Sequence, residues 1–162
     1  MPRHPGPGQH RSIDPRASLP YRDSFFNLVY AYSVFTHLPE PAQNVWIPEI
    51  ARVLRPGGVF VCTVEPLRFI DFVLSLSEPA EHPWHERLRQ SVQRVQDPRG
   101  EFARRGFLFL PPPEAQDDVV YGNSVMSEEY IRRYWGVHLT VHQLLDDPKR
   151  FFQAVVVCQK RP

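Results

Sequence analysis

Residues Leu19 to Val64 read LPYRDSFFNLVYAYSVFTHLPEPAQNVWIPEIARVLRPGGVFVCTV, and this stretch decides the fold. Asn27-Leu28-Val29-Tyr30-Ala31-Tyr32 is a continuous apolar run with β-branched and aromatic members. Such a run predicts a strand covered on both faces, as in parallel sheets. Between Pro41 and Leu54, the residues Trp46, Ile50, Val53 and Leu54 fall on one helical stripe. Arg52 and Arg55 suit the negative end of that helix, and Pro56-Gly57-Gly58 is expected to stop it and turn the chain. Pro48 lies inside the stripe, which predicts a kink or a helix whose regular part begins near it. Val59 to Val64 is a second buried-strand pattern. Strand, helix, strand in one short unit predicts a crossover and a parallel pair.

Working outward, Met1 to Ser18 is rich in Pro, Gly, Arg and His and offers little to bury, so it reads as a flexible leader. It has no apolar core segment of a signal peptide. Residues 19–162 read as one domain, with an insert or lid over about 66–120 where the pattern loosens. Within the insert, Phe69 to Leu76 suggests a short helix. Trp84, Leu88, Val92 and Val95 suggest a second, stopped by Pro98 and Gly100, and Phe107 to Leu110 a short strand. Further on, Ser127 is a good N-cap for a helix whose first turn carries Glu128 and Glu129, with Gly136 just past its end. Leu139 to Leu145 and Phe151 to Gln159 then predict an antiparallel strand pair.

Composition sets outer limits. A chain of 162 residues with 42% hydrophobic and 23% charged residues has the profile of a globular domain. Its net charge of +1 and the interspersed basic residues argue against nucleic acid as a partner. No apolar run reaches the roughly 20 residues of a membrane span, so no membrane partner is expected. Cys62 and Cys158 sit in apolar strand-like runs and read as buried reduced thiols, which favours the cytoplasm. No metal is expected: the histidines of His82-Pro83-Trp84-His85 stand without a supporting cluster.

The ordered string resembles the class I methyltransferases that use S-adenosylmethionine. Leu19-Pro20-Tyr21 with Ser24 to Val29 is similar to that family's approach to its fourth strand, Asn27 standing where the family usually has Asp. Ser33 to Leu38 resembles the segment after that strand, and Glu49 to Gly58 resembles its "ELxRVLKPGG" helix and turn. The resemblance implies an α/β fold: a truncated Rossmann-like methyltransferase half-sheet, with strands equivalent to 4, 5, 7 and 6, the last antiparallel, and a helical insert. The family's glycine-rich turn and ribose-holding acidic residue have no counterpart here. Gly6-Pro7-Gly8 follows no strand and opens no helix.

The resemblance also implies S-adenosylmethionine as donor and a small-molecule acceptor. It places Tyr32, Ser33, Val34 and Phe35 beside the sulfonium, and Asp14, Leu19 and Pro20 near adenine. The competing assignments are Val34 and Phe35 as core, Ser33 as a helix cap and Asp14 as a solvated carboxylate. His37, just after the strand, is a candidate general base, and Glu65, ending the next strand, a candidate for gripping the acceptor. A surface histidine is the alternative for His37. Tyr121, Tyr130, Tyr134 and Trp135 are candidates for an acceptor pocket, with packing beneath the last helix as the alternative. A half-sheet of this order leaves an apolar strand edge, which invites a homodimer or a complementing N-terminal half. Two functions therefore stand at this stage: methyl transfer, or an inactive remnant that self-associates through that edge.

Overall fold

The computed structural model describes residues 18–115 and 121–162. Its main sheet has four strands: β1 (Phe26–Ala31), β2 (Leu54–Val64), β5 (Thr140–Leu145) and β6 (Ala154–Gln159), in the spatial order β1-β2-β6-β5. β1 and β2 are parallel, joined through helix α1 (Glu40–Val53). β6 runs antiparallel to both neighbours. This is the strand order that the resemblance implied.

One face of this sheet makes the main core. Phe60, Cys62 and Val64 of β2 and Ala154, Val156 and Cys158 of β6 alternate inward, as a period of two requires, against Ile47, Ile50 and Ala51 of α1. Helix α5 (Glu128–Tyr134) and a short 3-10 turn (Trp135–Val137) close the same face, with Trp135 packed edge-on against Phe35 at 5.2 Å. Ser127 caps α5 by accepting from the Tyr130 amide, and Gly136 lies just past the α5 end, within the 3-10 turn, both as expected. Cys62 and Cys158 are free and buried, and burial pushes both thiols up, Cys158 to about 12.

The opposite face is open, which corrects the expectation that β1 is covered on both sides. Leu28 and Tyr30 are 55% and 77% exposed. An apolar run reports the strand, but what packs on it is set by elements elsewhere in the chain. β1 also forms an outer edge of the described sheet.

Two further expectations need correction. Helix α1 begins at Glu40 and runs through Pro48, so of the two alternatives the one in which its regular part begins near Pro48 is corrected. The missing N–H gives up one helical bond, yet the buried stripe through Ala42, Ile47, Ile50 and Val53 holds the helix across that point. Pro56-Gly57-Gly58 does not end the helix either, because Leu54 is already extended and paired with Phe26. With Arg55 they form a bulge inside β2: pairing steps from Phe26↔Leu54 to Leu28↔Val59, four residues of β2 opposing Asn27 alone. Gly57 takes the left-handed φ of 76° that this needs.

Residues after β2 build a satellite layer with its own core. Helices α2 (Leu67–Leu74), α3 (Pro83–Gln93) and α4 (Pro98–Arg105) pack Phe69, Ile70, Leu88, Val92 and Phe102 against Leu108, Leu110 and Val125. The last three belong to a hairpin of β3 (Phe107–Leu110) and β4 (Asn123–Met126). Pro98 and Gly100, read as a stop, instead open α4, with Asp97 as N-cap accepting from the Gly100 amide and Pro98 in the first turn.

Candidate functional site

The carboxyl ends of β1 and β2 lie side by side, and the chain leaving β1 turns sharply there. Ser33 takes a left-handed φ of 54°, unusual for a residue with a side chain. Its amide donates to Thr63 Oγ1 at 2.8 Å, and its hydroxyl accepts from Gln153 Nε2 at 3.0 Å. Gln153 Nε2 also donates to Glu65 Oε1 at 3.1 Å. Burial raises the Glu65 carboxyl to about 7, against the lowering effect of the Gln153 bond. Ser33, Thr63, Glu65 and Gln153 thus form one polar knot over the strand ends.

The turn at Ser33 sends its neighbours to different places. Tyr32 joins Tyr30, Val61 and Phe152 around a hollow of about 350 Å³ on the open sheet face. Val34 and Phe35 face the α1 side, where they meet Leu19, Val29, Ala31, Leu38, Trp46 and Ile50 around an apolar cavity of about 370 Å³. Leu19 is brought there by α1: its amide donates to Glu49 Oε1 at 2.6 Å and its carbonyl accepts from Arg52. Pro20 is exposed beside this cavity and does not line it. Asp14 lies outside the described residues.

His37 is held in the loop after β1 by the hairpin. Its Nδ1 lies 2.8 Å from the Gly122 carbonyl, and its ring stacks on Tyr121 with centroids 4.7 Å apart. The loop and β4 are further tied by Gly122 N to His37 O, Ser124 N to Thr36 O and Ser124 Oγ to Leu38 O. His37 and Tyr121 share a second cavity of about 390 Å³ with Trp84, Arg87, Ser91, Pro112, Glu114 and Asn123.

The remaining candidates are dispersed. Glu65 is 4% exposed and bonded within the knot, and it lines neither cavity. Tyr134 packs tilted against Tyr130 with centroids 4.5 Å apart, beside Arg104 and Arg105 and away from Tyr121. Tyr130 is buried and donates to Glu40 Oε1, and Trp135 is core. Gln153, Thr63 and Trp46 join the site without having been singled out in the sequence. Trp46 lay on the predicted stripe, but nothing local marks Gln153, which reaches Ser33 across 120 positions. Among the described residues no group of three or more His, Cys, Asp or Glu side chains could hold a metal ion.

An apolar cavity at the carboxyl end of parallel strands is where open α/β sheets bind nucleotide-like ligands. Residues 6–62, which span most of this site's β1 side, match the family model of the methyltransferase domain. Over this stretch the chain is similar to the methyltransferase-domain family. An uncharacterized chloroplastic methyltransferase of Arabidopsis thaliana is 39% identical over 66 residues, 38% of this chain and 18% of that protein. A SAM-dependent methyltransferase of Methanosarcina mazei shares the fold at 18% identity and a TM-score of 0.51, over 89% of this chain and 63% of its own. The PH0226 protein of Pyrococcus horikoshii aligns at 16% identity and a TM-score of 0.50, over 92% and 57%. The chain therefore spans under two thirds of each of these relatives.

The methyltransferase match begins at residue 6, within the stretch that composition reads as a leader. The cavity fits part of the donor: its lining is almost wholly apolar, which suits a flat purine. Among the described residues no carboxylate lines it that could hold ribose hydroxyls. No helix among the described residues is long and apolar enough to cross a membrane.

Proposed function

We propose that this chain takes part in S-adenosylmethionine-dependent methyl transfer to a small-molecule acceptor. The donor's adenine lies against Leu19, Val34, Phe35 and Trp46, and its sulfonium end lies over Ser33. The observation that carries the reading is the gathering of Leu19, Val34 and Phe35 around one apolar cavity at the end of β1. Methyl transfer is an in-line displacement that draws on positioning and a site of limited water more than on acid–base chemistry. The polar knot supports such positioning, since three hydrogen bonds fix the Ser33 turn and its neighbours. His37 serves as base for the acceptor, and Glu65 acts by holding Gln153 in place, without touching the acceptor. Calorimetry with S-adenosylhomocysteine tests the reading: saturable one-to-one binding is expected, weakened at least tenfold by Val34→Asp. A flat titration of the native chain would remove it.

A second reading rests on the open sheet. Leu28, Tyr30 and Tyr32 stand exposed beside an unpaired outer edge of β1 among the described residues. Such an edge pairs readily with another chain. In this reading the chain is an interaction module that associates with a second copy, or with a chain supplying complementary strands. A concentration-independent monomer in light scattering, with no binding to such a chain, would count against it.

A further inference from the structure

The cavity that His37 shares with Tyr121 has a chemistry of its own. A carbonyl oxygen only accepts, so the 2.8 Å contact to Gly122 O puts the hydrogen of a neutral His37 ring on Nδ1. Nε2 then carries a lone pair and, among the described residues, has no partner. The carbonyl is fixed as well: a Cβ on Gly122 would stand 2.5 Å from Leu110 O and from the Phe109 ring, so this backbone fits only without a side chain.

Three rings, His37, Tyr121 and Trp84, stand in a lining otherwise made mainly of prolines, polar side chains and Leu88. Tyr121 stacks on the His37 ring at an interplanar angle of 19°, and Trp84 lines the same cavity. The proline wall is pinned to α3 by one guanidinium, since Arg94 donates to the carbonyls of Pro112, Pro113 and Ala115. Among the described lining residues Arg87 and Glu114 pair with each other at 2.6 Å. A cavity of about 390 Å³ takes one or two rings.

We infer that this cavity binds an aromatic hydroxyl compound, its ring between Trp84 and the His37–Tyr121 stack and its O–H donating to His37 Nε2. Its role as the acceptor site rests on the methyl-transfer reading above. In that role Nε2 takes the hydroxyl proton while the oxygen's electron pair forms the bond to the methyl carbon. The carbon–sulfur bond of the sulfonium donor breaks toward sulfur, leaving a neutral thioether and a protonated imidazole.

Two probes test the binding without any donor present, so failure of the donor reading and failure of this one are separable. In amide NMR of the full chain, methyl 4-hydroxybenzoate is expected to shift Tyr121, Gly122 and the Trp84 indole saturably. Methyl benzoate, which lacks the donor, is expected to bind the native chain at least fivefold more weakly. In His37→Phe the two probes become equal, and in Trp84→Ala both weaken. The comparison on the native chain stands even where a variant does not fold. Equal binding of the two probes to the native chain, or no saturable shifts at these residues, overturns the proposal.

Discussion

Arg52 clasps Glu49, one turn earlier on α1, through two hydrogen bonds of 2.8 and 2.7 Å, and both side chains also hold the backbone of Leu19. Arg52 reaches further, to the Tyr21 carbonyl and to Asp23 Oδ1 at 2.7 Å. The Glu-x-x-Arg spacing on this helix is thus a clamp for the loop that forms one side of the apolar cavity. The Arg52 guanidinium, with the Leu19 amide, holds the Glu49 carboxyl below its ordinary value. Glu49→Ala is expected to cost about 1–2 kcal/mol of stability, since it leaves charge-assisted bonds unmade. Donor binding should weaken with it. Because the folded-state value is depressed, this contribution is present at neutral pH and fades as acid protonates Glu49. Denaturation of the native chain and the variant at pH 7 and at low pH checks both statements.

Glu65 works in the opposite direction. Burial raises its carboxyl from about 4.5 to about 7, so folding favours the protonated form. Its contribution is fully present below the unfolded value and is lost as pH rises through the folded one. Glu65→Gln should remove that slope and stabilise the chain at pH 8 by about 1–3 kcal/mol. Urea melts of both forms at pH 5 and pH 8 read the difference; an unchanged slope in the variant would show that Glu65 is not the group responsible.

The bulge in β2 gives a prediction about packing. A Cβ on Gly58 would lie 2.8 Å from Arg55 O and 3.1 Å from Phe26 O, both backbone atoms that cannot swing aside. Gly58→Ala is expected to destabilise by about 1–3 kcal/mol, as overpacking of a fixed backbone does. The bulge is also pinned to the chain after β6 by Gly57 N to Lys160 O and Lys160 N to Gly58 O. Hydrogen exchange at Leu28 and Lys160 should therefore accelerate in the variant.

The open sheet face predicts association. Tyr30→Lys places charge at the centre of the apolar face and on the edge strand, where it opposes pairing. If the native chain self-associates in sedimentation velocity, this variant should run as a monomer at concentrations where the native chain does not. Retained association in Tyr30→Lys would move the interface elsewhere.

The sequence was most legible where apolar runs are long and uninterrupted. Asn27 to Tyr32 and Val59 to Val64 declared their strands, and the stripe through Ile50 and Val53 declared α1. The spatial order of the four strands came through resemblance, because periodicity carries no information about neighbours. Punctuation was ambiguous. Asp97-Pro98 opens a helix as readily as Pro98 stops one, and Pro-Gly-Gly makes a bulge as readily as a turn. β4, at four residues, is too short for a pattern of its own.

The site divided in the same way. Leu19, Val34 and Phe35 meet because their segment is contiguous with the strand and helix that place them. Tyr134 and Tyr121 do not meet, since only tertiary packing decides where such residues lie. Gln153 was silent because its partners, Ser33 and Glu65, sit in other elements.

The most direct test of the central claim is the location of donor binding on the chain itself. In amide NMR with S-adenosylhomocysteine, the account predicts saturable shifts centred on Leu19, Ser33, Val34 and Phe35, with the Trp46 indole moving alongside. Shifts confined to Tyr30, Tyr32 and Phe152 on the open face, or no shifts at all, would contradict it.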